Sequence, residues 1–379
     1  MRNTHPSPNA HVPLGPPGAA VADLPAGIRE TAGGSECDIG AAPKLAVIIA
    51  CHNYAPFVGQ AISSVQSQRS PCELLVVDDG STDESWDVIT SSGARAIRIP
   101  NSGQACACLH GLDQTTAPFI YFLDADDILK PGALDQIIAH LDPSVAKLQF
   151  GLTPIDADGQ LLENAGSHLA SFRERKAILD QVLNSGVYAT PPTSGNVFRR
   201  DLCELLREVD YDRAVDGVIL FAAPLFGDVV SLSQELGCYR IHDRNDSGLG
   251  GRPKTATLER DLARFEARMR HLRDIVLRTT GDRMRASEAT FYYQERRLYL
   301  DILSGRRPNL GQMRRLLTTT LGQKGQSAQE KLSFLVFLSL LSMLPRRHAV
   351  LALNYRLKAS ARTGLGLLRE MIVGSAPAA

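Results

Sequence analysis

Three carboxylates, Asp124, Asp126 and Asp127, close the run FIYFLDADD (119–127), whose aromatic and aliphatic start has the character of a buried strand. Side chains two apart on a strand point the same way, which would set Asp124 beside Asp126. Two like charges that close repel, and each loses hydration when partly buried. A hard divalent cation between them removes both costs, and carboxylate oxygens are what Mg2+ or Mn2+ prefers. A DxD standing alone is more often a solvated acidic turn before the next helix, so the chemistry needs support from the rest of the chain.

That support comes from the elements around it. Leu45 to Ala50 (LAVIIA) is a short continuous apolar run, hence a buried strand, followed by a polar loop from Cys51 to Pro56. Val58, Ala61, Ile62 and Val65 then recur at helical spacing. Leu74 to Val77 predicts a second strand closed by Asp78, Asp79 and Gly80, with Ser81 or Thr82 able to cap the helix after it. Ala96 to Ile99 predicts a third strand, Gly103 to Gln114 a helix of small residues, and Phe119 to Leu123 the fourth strand. Beyond it Pro131 suits a helix start, with Leu134, Ile137, Ile138 and Leu141 on one face. The alternation β-α-β-α-β-α-β predicts an α/β fold with a doubly wound, mostly parallel sheet. Right-handed crossovers bring the loops after the strands to one edge, where such sheets bind ligands. That edge would hold His52, Asp78, Asp79, Asn101, Gly103, Asp124 and Asp126.

Later segments are less regular. Residues 156–175 are polar, Lys176 to Asn184 has helical character, and Thr193 to Arg200 (TSGNVFRR) leads into a strand or helix. Val215 to Ala223 and Val229 to Arg240 are apolar again, and the Gly- and Asp-rich stretch from Arg244 to Lys254 marks a boundary. Three regions are therefore expected: a disordered tail over 1–43, poor in large apolar groups; an α/β domain over 44–250; and a basic helical region over 251–379.

Formal net charge is zero, yet residues 1–250 carry 17 basic and 31 acidic side chains while 251–379 carry 24 basic and 10 acidic. An acidic front half suits metal binding, and a basic back half suits an anionic partner. Nucleic acid is disfavoured, because the basic residues are spread along helices with acids between them. The seven cysteines show no CxxC pair, which with the lack of an apolar N-terminal core predicts buried thiols, no signal peptide and a cytoplasmic protein. Leu258 to Leu303 has the period of a long helix or helical pair. Leu332 to Leu344 (LSFLVFLSLLSML) is the most apolar stretch, too short to cross a bilayer and ended by Pro345, Arg346 and Arg347; Leu351 to Met371 is amphipathic and basic. A buried core helix and an interfacial helix held on anionic lipid at the membrane's inner face both fit the apolar stretch.

The ordered motifs VIIACHNYAPFVGQAISSVQSQ (47–68), ELLVVDDGSTDES (73–85), NSGQACACLHGL (101–112) and FIYFLDADD (119–127) resemble glycosyltransferase family 2. The likeness is strong over Leu45 to Asp127, weaker to His242 and absent beyond. It implies an inverting, nucleotide-sugar-dependent enzyme with the GT-A fold. By this resemblance the loop from Ala50 to Tyr54 lines the nucleotide, with Ala50 and His52 beside it, although His52 is equally a loop histidine without a role. Asp79 would accept a hydrogen bond from the base, with a turn or cap function as the alternative. Asn101 and Gly103 would approach the donor, unless the small residues there serve helix-on-sheet packing. Asp124 would reach the ribose or a metal-bound water, and Asp126 would bind Mn2+ or Mg2+ bridging the diphosphate. Asp127 would orient the following loop. The general base for the acceptor hydroxyl would be Asp216, chosen over Asp210 and Asp212 because apolar Val218 to Ala223 follows it; the family's two adjacent acids are here Val215-Asp216-Gly217. In the late element Tyr239-Arg240-Ile241-His242, His242 would complete the metal shell and Arg240 would neutralise phosphate, unless they are a packed histidine and a surface arginine.

The expected activity is transfer of a hexose or related sugar from a nucleoside-diphosphate donor to an acceptor hydroxyl, in surface polysaccharide or lipid-linked glycan synthesis. A protein that binds nucleotide sugars as a scaffold, with weak or no turnover, is the alternative. A nucleotidyltransferase fits poorly, since no Gly-rich, Lys-containing phosphate loop follows the first strand.

Overall fold

The computed structural model describes residues 29–31, 42–162, 169–211, 215, 217–242, 255–285, 290–306, 310–322 and 328–357. Four parallel strands form the first half of its sheet: β2 (Leu45–Cys51), β3 (Glu73–Asp79), β4 (Ala96–Ile99) and β5 (Phe119–Asp124), after a short β1 (Arg29–Thr31) that pairs antiparallel with β4. That short strand lies inside the stretch expected to be a disordered tail; the rest of 1–41 is outside the described residues. Each crossover carries a helix: α1 (Ala55–Gln66), α2 (Ser85–Ser91) and α3 (Gln104–Asp113). The middles of these strands are mostly apolar because both faces are covered. Leu45, Val47 and Ile49 join the core with α1 and α2, while Ala46 and Ile48 join the core with α3. A Cβ on Gly111 of α3 would lie 2.5 Å from Ile48 Cγ2, so only glycine lets the helix approach the sheet this closely.

The second half of the sheet is mixed. β6 (Ile128–Leu129), α4 (Ala133–Ala139), β7 (Val145–Ile155), β8 (Phe172–Glu174), α5 (Lys176–Ser185), β9 (Asn196–Arg199), α6 (Arg200–Cys203), α7 (Ile219–Phe226) and β10 (Asp228–Arg240) follow in chain order. The strand order is β1-β4-β3-β2-β5-β9-β7-β10-β6, with β8 added to β10. β9 is antiparallel to both β5 and β7, so β7 and its parallel neighbour β10 run with β5 and end at the same edge.

Helices form the C-terminal region: α8 (Thr255–Thr280), α9 (Phe291–Leu303), α10 (Leu310–Gly322), α11 (Ala328–Met343) and α12 (Arg346–Leu357). The expected helical pair over 258–303 is thus α8 and α9. α8 buries Leu258 and Leu262 among the later helices, and Phe265, Met269, Leu272, Ile275 and Val276 against the core beneath α7. α11 buries Phe334, Phe337, Leu338 and Leu341 and leaves Leu332, Val336, Leu340 and Met343 exposed. Among the described residues no helix is long and apolar enough to cross a membrane, and the six described cysteines are free.

Candidate active site

The candidate residues meet where β2, β3 and β5 end, and hydrogen bonds between successive loops hold them there. Ala50 sits in register between Val77 of β3 and Asp124 of β5. Just beyond it Asn53 adopts a positive φ of 60°, a conformation asparagine tolerates better than most side chains. In that geometry its N–H donates to Ser81 Oγ (2.9 Å), and its Oδ1 accepts from the N–H of Thr82 (2.7 Å) and Asp83 (3.3 Å). The loop after β2 is thereby fastened to the turn after β3.

Asp79 is buried, and its two carboxylate oxygens accept from the N–H of Ser102 (2.6 Å) and Gly103 (2.8 Å). Gly103 meets it with a φ of 93°, a backbone conformation that favours glycine. Each oxygen keeps a further lone pair for a ligand donor. His52 Nδ1 lies 2.8 Å from the Asp79 carbonyl oxygen, so Nδ1 carries the proton, and Nε2 accepts from Asn53 and Asn101 side-chain amides at 3.1 Å. The structure thus brings together Ala50, His52, Asp79, Asn101 and Gly103. Asp78, placed at the same edge, is buried and paired with Arg98 at 3.0 Å.

The acidic run is arranged differently from the simple alternation expected of it. β5 ends at Asp124, and Asp126 lies in a turn closed by the Asp127 N–H donating to the Asp124 carbonyl at 3.1 Å. Asp124 Oδ1 accepts from Gln104 Nε2 (2.7 Å), and its backbone N–H donates to Ser194 Oγ (3.1 Å). Asp126 Oδ2 lies 2.9 Å from His242 Nε2, and the imidazole is stacked on Phe57 with ring centroids 5.0 Å apart. Asp127 is buried; one oxygen accepts from the Arg240 N–H at 2.8 Å and the other has no partner. Burial, followed by the Asp126 and Asp124 charges, raises the Asp127 pKa well above the usual carboxylate range.

Arg240 is corrected by its surroundings. Its guanidinium is buried, not turned toward an open cleft. Nε donates to the Asp126 carbonyl (2.8 Å), one terminal nitrogen to the carbonyls of Asp156 (3.3 Å) and Ala157 (3.0 Å), and the other to Gln60 Oε1 (2.7 Å). With the Phe57 ring 4.9 Å below it, this cation fixes the end of β10 against the acidic turn and is not presented to a phosphate. Asp216 and Asp212 lie outside the described residues, and Asp210 is the described member of the three expected acids. Gln104, Ser194 and Phe57 were not anticipated. Ser194 lies in the Thr193–Gly195 turn, and its hydrogen bond to Asp124 crosses 70 residues and has no local signature.

Among the described residues no three histidine, cysteine or acidic side chains already form a cation cage. Asp126 and His242 nevertheless stand side by side, and Asp127 keeps a buried oxygen unpartnered. An oxygen and an imidazole nitrogen are donors that fit Mn2+ or Mg2+.

Residues 46–202 match the family described as Glycosyl transferase family 2. An uncharacterized glycosyltransferase of Nostoc sp. is 32% identical over 247 residues, covering 62% of this chain and 76% of that protein. A GalNAc(5)-diNAcBac-PP-undecaprenol beta-1,3-glucosyltransferase of Campylobacter jejuni is 32% identical over 131 residues, 31% of this chain and 41% of its own length. The crystal structure of Staphylococcus aureus TarS 1–349 superposes with a TM-score of 0.48 at 16% identity, covering 87% of this chain and 88% of that one.

Proposed function

Because the chain belongs to glycosyltransferase family 2, we propose that it is an inverting enzyme that moves a sugar from a nucleoside-diphosphate donor to an acceptor hydroxyl. The observation that carries this reading is the meeting of Asp79, Asp124, Asp126 and His242 at the carboxyl ends of parallel strands, where doubly wound sheets bind nucleotides. Asp79, held by two backbone N–H groups, accepts from the base. Asp124, steadied by Gln104, faces the ribose and the cation. Asp126 and His242 would hold Mn2+ or Mg2+, whose positive charge would favour departure of the diphosphate. The acceptor oxygen attacks the anomeric carbon as the bond from that carbon to the diphosphate oxygen breaks. Asp216 takes the hydroxyl proton. The acceptor is a glycan or lipid-linked glycan reached from the cytoplasmic side, a reading supported by the undecaprenol-linked acceptor in the name of the Campylobacter relative.

A screen of nucleotide sugars by thermal stabilisation, with and without Mn2+, identifies the donor, since a ligand at a hundred times its Kd stabilises by about 2.7 kcal/mol. Donor turnover is then compared between wild type and Asp126→Ala. A loss of about a hundredfold or more is expected; equal turnover would remove Asp126 from the reaction. Asp216→Asn should abolish transfer to acceptor while leaving donor binding intact. Binding without turnover across a broad acceptor panel would favour a scaffold instead.

A further inference from the structure

α11 has two apolar faces, and only one is accounted for by packing. Phe334, Phe337, Leu338 and Leu341 fill the core of the C-terminal helices. On the opposite side Leu332, Val336, Leu340 and Met343 are exposed by 63%, 53%, 42% and 83% of their surfaces. They follow one another at four, four and three residues, so they form a single stripe along the helix. No charged residue interrupts it, since none occurs between Lys331 and Arg346. The exposed Ser339 turns its hydroxyl back onto the Leu335 carbonyl at 2.9 Å, leaving the stripe poorer still in polar groups. α10 lies alongside, tied on by Lys331 Nζ donating to the Leu321 carbonyl at 3.0 Å, and adds exposed Leu317 and Leu321. An unbroken apolar stripe like that of α11 on a water-facing helix marks an interaction site.

The charges around the stripe select the partner. Over residues 310–357 the chain has seven basic side chains and one acidic. Arg314 and Arg315 are exposed on α10, with Arg314 one turn before Leu317, and Arg347 is exposed just past the end of α11. A second copy docked on the same face would bring like charges together at every rim. An anionic lipid surface satisfies both features at once: acyl chains take the stripe and headgroups take the arginines. We propose that the α10–α11 face is a lipid-docking surface, laying these helices in the plane of a negatively charged membrane. This goes beyond the proposed reaction and does not depend on it.

The test is flotation of the purified full-length protein with vesicles of phosphatidylcholine alone and of phosphatidylcholine containing phosphatidylglycerol. The protein should float with the anionic vesicles, remain in solution with the neutral ones, and be released by raised salt. Leu332→Ser/Val336→Ser/Leu340→Ser, which alters exposed positions only, should weaken binding roughly tenfold or more. Arg314→Ser/Arg315→Ser should weaken it by a similar factor and reduce its salt dependence. Far-ultraviolet circular dichroism establishes that both variants are folded. Failure of wild type to float with anionic vesicles, or equal flotation of the triple serine variant, overturns the proposal. So does an oligomer of wild type that the serine variant dissociates, because the face would then be an interface between copies. Flotation is read without turnover, so loss of the glycosyltransferase reading leaves this test standing.

Discussion

At the scale of single residues, Arg240 tests whether the site is held by buried polar geometry. Four acceptors converge on its guanidinium, three of them main-chain carbonyls, and no lysine ammonium can span that set. Arg240→Lys should leave at least one buried carbonyl unsatisfied and cost about 2–3 kcal/mol. A phosphate ligand on the surface behaves otherwise: its loss would raise the KM for donor without moving the denaturation midpoint. Urea unfolding of wild type and variant decides between the two, and an unchanged midpoint would return Arg240 to the phosphate site. Gln104→Ala makes a second test at this scale. Its amide is held 2.7 Å from Asp124 Oδ1, so its removal should raise donor KM several-fold while shifting stability by no more than about 1 kcal/mol. Sequence motifs brought Asp79, Asp124, Asp126 and His242 forward as candidates because their spacing is local. The partners of these residues were not legible. Ser194 reaches Asp124 across 70 residues, and Arg240 reaches Gln60 across 180, with nothing in either neighbourhood to announce it.

At the scale of elements, legibility followed burial chemistry. β2, β3, β4 and β5 have short, mostly apolar centres that stood out at once. β7 was not anticipated, although at 11 residues it is among the longest strands, because Lys147 and Gln149 interrupt its apolar pattern. Both side chains are fully buried all the same. Lys147 Nζ donates to Thr190 Oγ1 (2.7 Å) and Gln149 Oε1 (3.0 Å) and lies 4.8 Å from the Tyr188 ring centroid, so its polarity is satisfied inside the core. Elements are also joined by exposed charge. Glu208 lies 2.6 Å from Arg278 and 3.2 Å from His271, fastening α8 to the Glu204–Glu208 turn. The hydrogen bond from Arg278 is the main stabilising influence on the carboxylate and draws its pKa below the usual glutamate value. A depressed folded pKa gives stability that is present above the unfolded value, about 4.3, and is lost as pH falls through the folded one. Glu208→Gln should therefore lower Tm slightly at pH 6, and the difference should vanish on acidification through about pH 4 and below. A gap that persists unchanged at low pH would mean the contact acts through packing instead of charge.

At the scale of the whole molecule, α8 decides how the protein can be divided. Composition suggested a boundary near residue 250, but the side chains do not part there. Phe265, Met269, Leu272, Ile275 and Val276 lie in the same core as Phe221 and Leu225 of α7, and Met284 completes it beyond the helix. The backbone follows the same allegiance, since the Arg285 N–H donates to the Leu183 carbonyl at 2.8 Å. Gly186, with a φ of 78°, leaves room for this seam: a Cβ there would lie 2.6 Å from Met269 Sδ. Leu258 and Leu262 face the separate core of α9 to α12, and α9 also meets α8 through Tyr292 and Tyr293, whose rings lie 5.3 and 5.8 Å from that of Phe265. The unit that carries the sheet should accordingly end after Arg285. A chain stopped at Arg285 should stay soluble and keep donor turnover, with loss confined to the contacts that Leu258, Leu262, Phe265 and Glu266 make with the later helices. A chain stopped at His242 strips five buried side chains of α8 from the core, and large apolar residues lost from a packed site cost about 2–5 kcal/mol each, more together than a domain's usual margin of about 5–15 kcal/mol. It should aggregate on expression. Solubility and donor turnover of the two truncations check this directly, and equal behaviour of the pair would mean that α8 adds nothing to the sheet it lies against.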